Sequence, residues 1–266
     1  RNYRRRSFLK NFIFTFKSIS LRILNKVFFK KKKLLNQGFV VAICDLDASG
    51  KSSLVNSLKN NFSRNFSVRT FHLGKPSSSL LTFMINPFVF LFRRLNRQLK
   101  NSNKSFKNSE AKYLSILYIF RALLLAYDRK KNSNRAHKLA NIGFIVICDR
   151  YPGIEEGKMD SPRIIASKTR GFFYQLCYNI ENKIYNSIKP AHLIYQLLVP
   201  LEISIERNKK RIKIDKETDN ELKERFKLNE DVAFLSESHI HIDATLSTQK
   251  VLAQVSESIW QFNIEK

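Results

Sequence analysis

Apolar residues from Gly38 onward fall into short continuous runs, which alternate with longer segments whose apolar residues recur at three- and four-residue steps. Short apolar runs are typical of buried strands and the longer periodicity is typical of helices, so the pattern predicts a parallel sheet with helices on both faces. The predicted strands are Phe39–Cys44, Val68–Leu73, Phe144–Cys148, Leu193–Val199 and Ile240–Ile242. The predicted helices lie near Lys51–Asn61, Leu80–Leu99, Glu110–Ala140, Arg163–Ser187, Leu201–Lys213, Asn220–Leu228 and Thr248–Phe262.

The N-terminal residues 1–37, which we call the arm, follow a different pattern. Their apolar residues recur at helical spacing between clusters of Lys and Arg, and the first 44 residues contain 12 Lys or Arg and no acidic residue. A basic amphipathic helix is typical of a membrane-surface or partner-binding element, although it can also pack on its own domain. We therefore expect an arm at 1–37, a domain at 38–266, and binding of the arm to anionic membrane. The apolar positions are Phe8, Leu9, Phe12, Ile13, Phe16, Ile19, Ile23, Leu24, Val27 and Phe28.

Other features of the sequence bear on the compartment. Lys17 and Arg22 interrupt the apolar residues of the arm, so the chain predicts neither a spanning helix of about 18 apolar residues nor a secretory signal peptide. The three cysteines show no C-x-x-C spacing, which argues against a disulfide framework or a zinc site. We expect a cytoplasmic protein, peripheral at the inner face of the membrane.

The formal net charge of +26 favours anionic partners such as nucleotides, nucleic acid or acidic lipid. Part of this charge also fits a bias toward AT-rich codons, because Lys, Asn, Ile and Phe are all abundant while Gly is scarce. The basic residues concentrate in the arm and no RNA- or DNA-binding motif is present, so no specific nucleic acid is expected.

The stretch CDLDASGKSSL meets the phosphate-loop pattern G-x-x-x-x-G-K-[ST] at its end, with Asp45 in place of the first glycine. The predicted strand before it and helix after it provide the setting in which backbone N–H groups at a helix start bind phosphate. Aspartate tolerates unusual backbone angles, so Asp45 does not exclude binding. The predicted nucleotide contacts here are Ser49, Gly50, Lys51, Ser52 and Ser53.

A second motif, ICDRYP, places Asp149 and Arg150 at the end of a predicted buried strand. An acidic residue there positions Mg²⁺ in phosphate-loop proteins, and the arginine can hold a phosphoryl group. A strand-end turn with a surface ion pair is the alternative. A third cluster, Glu206–Lys213, contains Arg207 and Arg211, which could close over a donor nucleotide or simply form a solvated helix face.

Together these motifs resemble those of the thymidylate kinases. LDASGKSSL is similar to their phosphate loop, LLLAYDR to their acceptor-site helix, ICDRY to their strand-end Asp-Arg-Tyr, PLEISIERNKKR to the passage into their lid, and HIDAT to their last strand. The resemblance implies a three-layer α/β phosphate-loop (P-loop) NTPase fold with a five-stranded parallel sheet. It also implies transfer of the γ-phosphoryl group of ATP·Mg²⁺ to a nucleoside monophosphate or related acceptor, and a homodimer. The apolar segment Tyr113–Tyr127 could form the dimer interface, or it could equally belong to the core.

The resemblance also implies a role for each matching residue. Lys51 would hold the donor phosphates, Ser52 and Asp149 the Mg²⁺, and Arg150 the acceptor phosphate. Asp47 would face the acceptor sugar or assist the metal site, and Arg129 would approach the acceptor base or phosphate, near Tyr151. Lys75, in HLGKP, could replace the usual acceptor-phosphate arginine, although as a point charge rather than a fork.

The sequence departs from the thymidylate kinases after Asp-Arg-Tyr, where PGIEEGKMDSPRI replaces the Ser/Gln-containing segment that recognises thymine. The sequence is similar to divergent thymidylate kinase-like proteins whose segments run HLGKP, CDRYP, MDSP and K-E-T-D, and some of these proteins are associated with cell-surface polysaccharide assembly. The alternatives to a nucleotide kinase are therefore a kinase acting in polysaccharide assembly and a nucleotide-binding protein with impaired catalysis.

Overall fold

The computed structural model describes residues 13, 15–20, 23, 32–35, 37–45, 50–77, 79, 82–84, 87, 107–166, 171–210, 219–229 and 232–265. Five parallel strands form one sheet in the order β2–β3–β1–β4–β5. The strands are β1 (Phe39–Cys44), β2 (Val68–His72), β3 (Ile145–Asp149), β4 (Leu193–Leu198) and β5 (His239–Asp243). The helices are α1 (Lys51–Phe62), α2 (Lys107–Asn141), α3 (Phe172–Asn186), α4 (Leu201–Lys210), α5 (Asp219–Leu228) and α6 (Thr248–Glu265).

The central strand β1 explains the layering, because all six of its residues are buried. Phe39, Val41 and Ile43 pack in a core with α1 and α6, whereas Val40 and Ala42 pack in a second core with α2. A strand covered on both faces has to be apolar throughout, as the sequence of β1 is. The predicted fold class, a five-stranded parallel sheet between helical layers, is confirmed.

The observed bounds differ from the predicted ones chiefly at α3, which begins at Phe172 and not at Arg163. The backbone N–H groups of Arg163 and Ile164 donate to the carboxylate of Glu181, and bonds to a side chain replace the helical ladder there. Strand β5 is one residue longer at each end than predicted. The predicted helix Leu80–Leu99 falls mostly outside the described residues.

The described part of the arm is helical at 15–20, and its apolar side chains are exposed, with Phe16 at 66% and Ile19 at 50%. Lys32 joins the domain before residue 38: its N–H donates to the Asn65 carbonyl (2.9 Å) and its carbonyl accepts from the Ser67 N–H (2.8 Å). No helix within the described residues is long and apolar enough to cross a membrane. The boundary at residue 38 and membrane binding by the arm stay predictions.

Candidate functional site

The start of helix α1 is arranged as a phosphate-binding turn. Gly50, the residue before the helix, has φ 95° and ψ 10°, a left-handed conformation that a side chain disfavours. No acidic residue lies in the first turn of α1 to compete with an anion. Lys51 is only 6% exposed, while Ser52 and Ser53 are exposed beside it. Backbone N–H groups, a helix dipole and a lysine thus converge at this point, as phosphate binding requires. Asp47 and Ser49 lie outside the described residues.

Asp149 lies directly beside this turn because β3 is the neighbour of β1, with Asp149 in register with Ile43. The Ser52 hydroxyl donates to Asp149 Oδ2 at 3.2 Å. The other carboxylate oxygen, Oδ1, is buried and has no hydrogen-bond partner among the described residues. A buried, unsatisfied carboxylate oxygen next to a hydroxyl fits a hard cation such as Mg²⁺, which binds through one or two carboxylates together with phosphate oxygens and water. The two predicted metal ligands are therefore adjacent.

His72 is a neighbour of this pair that the sequence did not reveal. It ends β2, in register with Asp149, and its Nε2 lies 3.9 Å from Asp149 Oδ2. Burial is the main cause that lowers the pKa of His72. Its Nδ1 accepts a hydrogen bond from the Lys75 N–H, so the proton of the neutral ring lies on Nε2, toward Asp149. Only the pairing of β2 with β3 brings these residues together.

Arg129 and Arg150, the predicted acceptor contacts, meet at one carboxylate on the β2–β3 side of the phosphate loop. Asp160 Oδ1 accepts from Arg129 Nη2 at 2.7 Å, and Asp160 Oδ2 accepts from Arg150 Nη1 at 3.1 Å. Arg129 is fully buried, whereas the side chain of Arg150 is partly exposed. Lys75 is exposed on the same side, in the turn that follows β2.

Tyr151 is fully buried, and its hydroxyl is used inside the domain. It donates to the Lys189 carbonyl at 2.7 Å and lies 3.0 Å from the Ser133 hydroxyl and 3.2 Å from His137 Nε2. Burial raises the pKa of the Tyr151 phenol. Its predicted contact with an acceptor finds no support in this geometry. Asp128 beside Arg129 is likewise buried, and it accepts a 2.6 Å hydrogen bond from the Thr82 hydroxyl.

A cavity of about 540 Å³ lies on the other side of the phosphate loop, where β1, β4 and β5 end. Hydrogen bonds from Thr245 lower the pKa of the Asp243 carboxyl, which keeps it ionised. Arg207 of α4 donates to the Ala244 carbonyl at 3.0 Å and so lies against the loop that borders this cavity. Arg211 is outside the described residues. The polar or aromatic residues that line the cavity are Asp45, Gln196, Phe226, His241, Asp243 and Thr245.

The strand order β2–β3–β1–β4–β5, with a glycine-lysine-serine turn between β1 and the first helix, defines a P-loop kinase-like fold. This is the class predicted from the sequence. Solved structures with a similar fold include a thymidylate kinase from Candida albicans. It is 19% identical with a TM-score of 0.45, and the match covers 86% of this chain and 94% of that one.

A deoxyadenosine kinase from M. mycoides is also similar. It is 15% identical with a TM-score of 0.44, and the match covers 84% of this chain and 99% of that one. That enzyme has been solved with dCMP and dCDP. The chain matches no protein-family model and no curated protein.

Proposed function

We propose that this protein is an ATP-dependent phosphotransferase, which moves the γ-phosphoryl group of ATP to a nucleoside monophosphate or a related phosphorylated acceptor. The observation that carries the proposal is that a cavity and a strand-end arginine lie on opposite sides of the Gly50–Ser52 turn. A cavity lies beyond β4 and β5, and Arg150 lies at the end of β3 toward β2. Transfer of a phosphoryl group requires that a donor and an acceptor bind next to the same phosphate-binding turn.

The chemistry of the cavity favours the nucleoside end of the donor. Its two acidic residues, Asp45 and Asp243, would repel phosphate but can accept hydrogen bonds from sugar hydroxyl groups. The donor phosphates would then lie at Gly50 and Lys51, where N–H groups and a cation stabilise negative charge. Asp45, which replaces the first glycine of the phosphate-loop pattern, is compatible with nucleotide binding in this orientation.

Other predicted residues would hold the metal ion and the acceptor. Ser52 and Asp149 would hold Mg²⁺, which when bound offsets charge on the donor phosphates. Arg150 would bind the acceptor phosphate and orient it toward the γ-phosphoryl group. Asp47, Ser49, Ser53, Lys75 and Arg211 keep their predicted contacts as part of the proposal. The acceptor differs from dTMP in our proposal, because the segment after Tyr151 lacks the thymine-recognising pattern.

The test is ADP release from ATP·Mg²⁺ with a panel of nucleoside monophosphates and phosphosugars. Lys51→Ala should lower kcat/KM by about 100-fold or more, because an ammonium at the transferred charge is lost. Lys59→Ala is the matched control, since Lys59 lies exposed in the last turn of the same helix. It should keep kcat/KM within about twofold.

The results separate the classes of function. Tight ATP binding without Lys51-dependent turnover on any acceptor would contradict the kinase and favour the catalytically impaired nucleotide-binding protein. Turnover on phosphosugars alone would favour a kinase of polysaccharide assembly.

For partners, we propose that the arm places the protein peripherally at anionic membrane and that the chain forms a homodimer. Part of Tyr113–Tyr127 supports the dimer, because Tyr118, Phe120 and Tyr127 are exposed on α2. Phe120 lies near the exposed Phe173 of α3, with 6.3 Å between ring centroids, so the apolar surface continues from α2 onto α3.

A further inference from the structure

Asp160 lies between two cations that come from different elements. Arg129 belongs to the middle of α2, Arg150 follows β3, and Asp160 belongs to the loop at 152–164 that replaces the thymine-recognising segment. The Asp160 carboxylate contacts Arg129 through Oδ1 and Arg150 through Oδ2, and its side chain is only 9% exposed. The shared carboxylate reduces the repulsion between the two arginines.

Arg129 is an anchor and not a ligand contact in this arrangement. Its Nε–H donates to the Leu73 carbonyl, and its Nη2 donates to the Gly74 carbonyl and to Asp160 Oδ1. Its Nη1 donates to the Asp160 carbonyl and to the Tyr185 hydroxyl. A guanidinium has five N–H donors, and all five are used by protein atoms. Arg129 therefore holds Asp160 by its side chain and its backbone together.

The same loop orients the side chain of Arg150. Its Nη1 donates to Asp160 Oδ2 at 3.1 Å and also contacts Met159 Sδ. In the turn that follows β2, Gly74 leaves room for the side chain, because a Cβ there would lie 2.2 Å from Arg150 Cδ. The guanidinium is thus held between the loop and the turn after β2.

The loop itself is fastened independently of Arg150. The Met159 N–H donates to Asn229 Oδ1 at 2.6 Å, and Asn229 is buried at the end of α5. The Gly153 N–H donates to the Asp160 carbonyl, and Gly153 forms a bridge with Phe234. Glu181 of α3 accepts from the N–H groups of Arg163 and Ile164. Asp160 is therefore held in place by elements on two sides.

We propose that Asp160 is a positioning residue, which holds Arg150 in one orientation so that an acceptor phosphate binds without reordering the arginine. This inference rests on the proposed function, because it assigns the acceptor phosphate to Arg150. The physical reason is pre-organisation: an arginine that is already oriented loses less side-chain entropy when it binds an anion. Arg129 acts through Asp160, so the acceptor site uses one arginine for binding and one for support.

The experiment compares Asp160→Asn with Glu155→Gln in the full chain. Glu155 is the matched control, because it forms an exposed ion pair with Lys158 in the same loop, and within the described part of the chain it forms no hydrogen bond or ion pair with either arginine. With the best acceptor of the panel, Asp160→Asn should raise the acceptor KM by about tenfold or more while the KM for ATP stays within about twofold. A merely structural role would lower the active fraction and leave the acceptor KM unchanged.

A second readout does not need activity. Hydrogen exchange of the Arg150 Nη1–H groups, measured by ¹H–¹⁵N NMR and assigned with Arg150→Lys, should accelerate about tenfold or more in Asp160→Asn and not in Glu155→Gln. If no acceptor is turned over by the wild type, the proposed function fails while this measurement still decides the positioning role. Unchanged exchange together with an unchanged acceptor KM would overturn the inference.

A variant that leaves Asp160 in place covers the case in which Asp160→Asn does not fold. Gly74→Ala puts a methyl group 2.2 Å from Arg150 Cδ and 3.2 Å from Asp160 Oδ1, so Arg150 has to move while the Asp160 side chain is retained. It should produce the same faster exchange at Arg150 and the same rise in acceptor KM. Exchange and KM like those of the wild type in Gly74→Ala would also overturn the inference.

Discussion

Single residues at the strand ends carry the proposed chemistry, and the Ser52–Asp149 pair is the clearest of them. Both were predicted from the sequence, since each follows a strand or begins a helix in a motif of its own. Their hydrogen bond depends on β3 lying next to β1, which neither motif specifies. His72 illustrates the same limit, because its place beside Asp149 comes from strand pairing alone.

Asp149→Asn is expected to weaken nucleotide binding only when Mg²⁺ is present. The amide removes the charge that would hold the cation, so the Kd for ATP·Mg²⁺ should rise about tenfold or more, or about 1.4 kcal/mol. Isothermal titration with ATP, with Mg²⁺ and with EDTA, measures this difference. Asp219→Asn is the control, because Asp219 forms an exposed ion pair with Lys209. An equal loss with EDTA would indicate a structural role instead.

At the scale of elements, helices and strands were predicted well where no side chain formed hydrogen bonds with the backbone N–H groups in place of the regular pattern. The predicted start of α3 was wrong because Glu181, far along the same predicted helix, accepts hydrogen bonds from the backbone N–H groups of Arg163 and Ile164. Periodicity does not reveal such a contact, since it depends on the chain turning back on itself. The arm is the opposite case: its helix at 15–20 follows from local periodicity, and its apolar residues remain exposed.

The arm is expected to bind anionic vesicles through both its apolar face and its cations. Replacing Phe16 and Ile19 with Ser should weaken binding to phosphatidylserine-containing vesicles by about tenfold or more, because two apolar side chains leave the interface. Phe172→Ser with Leu176→Ser is the matched control, since it removes exposed apolar residues from α3. Co-sedimentation measures the bound fraction, and binding should also weaken with salt. Equal binding by both double variants would contradict this role.

At the scale of the whole molecule, the second core joins the helix α2, the end of β3 and the turn before β4 around His137. The His137 ring contacts the Tyr151 hydroxyl and lies 5.3 Å from the His192 ring, centroid to centroid. Burial lowers the pKa of His137 from 6.5 to about 4, with further lowering by His192 and Lys189 and a small opposing effect of Glu237. Protonation of His137 therefore disfavours the folded state.

The free energy of unfolding is expected to fall as the pH drops from about 6.5 to about 4. In this window the unfolded chain binds a proton at His137 and the folded chain does not, so the loss reaches up to about 3 kcal/mol. Below pH 4 His137 is protonated in both states, so this group causes no further loss of stability. Urea unfolding of the wild type and of His137→Asn at several pH values measures it, and the wild type should lose more stability across the window. Parallel curves for the two proteins would show that another group is responsible.

The sequence by itself determined the alternation of strands and helices, the glycine-lysine-serine turn at Gly50–Ser52 and the position of Asp149 and Arg150 at a strand end. These features depend on local periodicity and on the residues required at a helix start. Tertiary structure decided how the side chains are used: Arg129 and Tyr151 point into the domain, Asp160 joins two arginines, and a cavity forms beyond β4 and β5. The physical reason is that a side chain's partners depend on which strands lie next to each other and on how loops fold back over them.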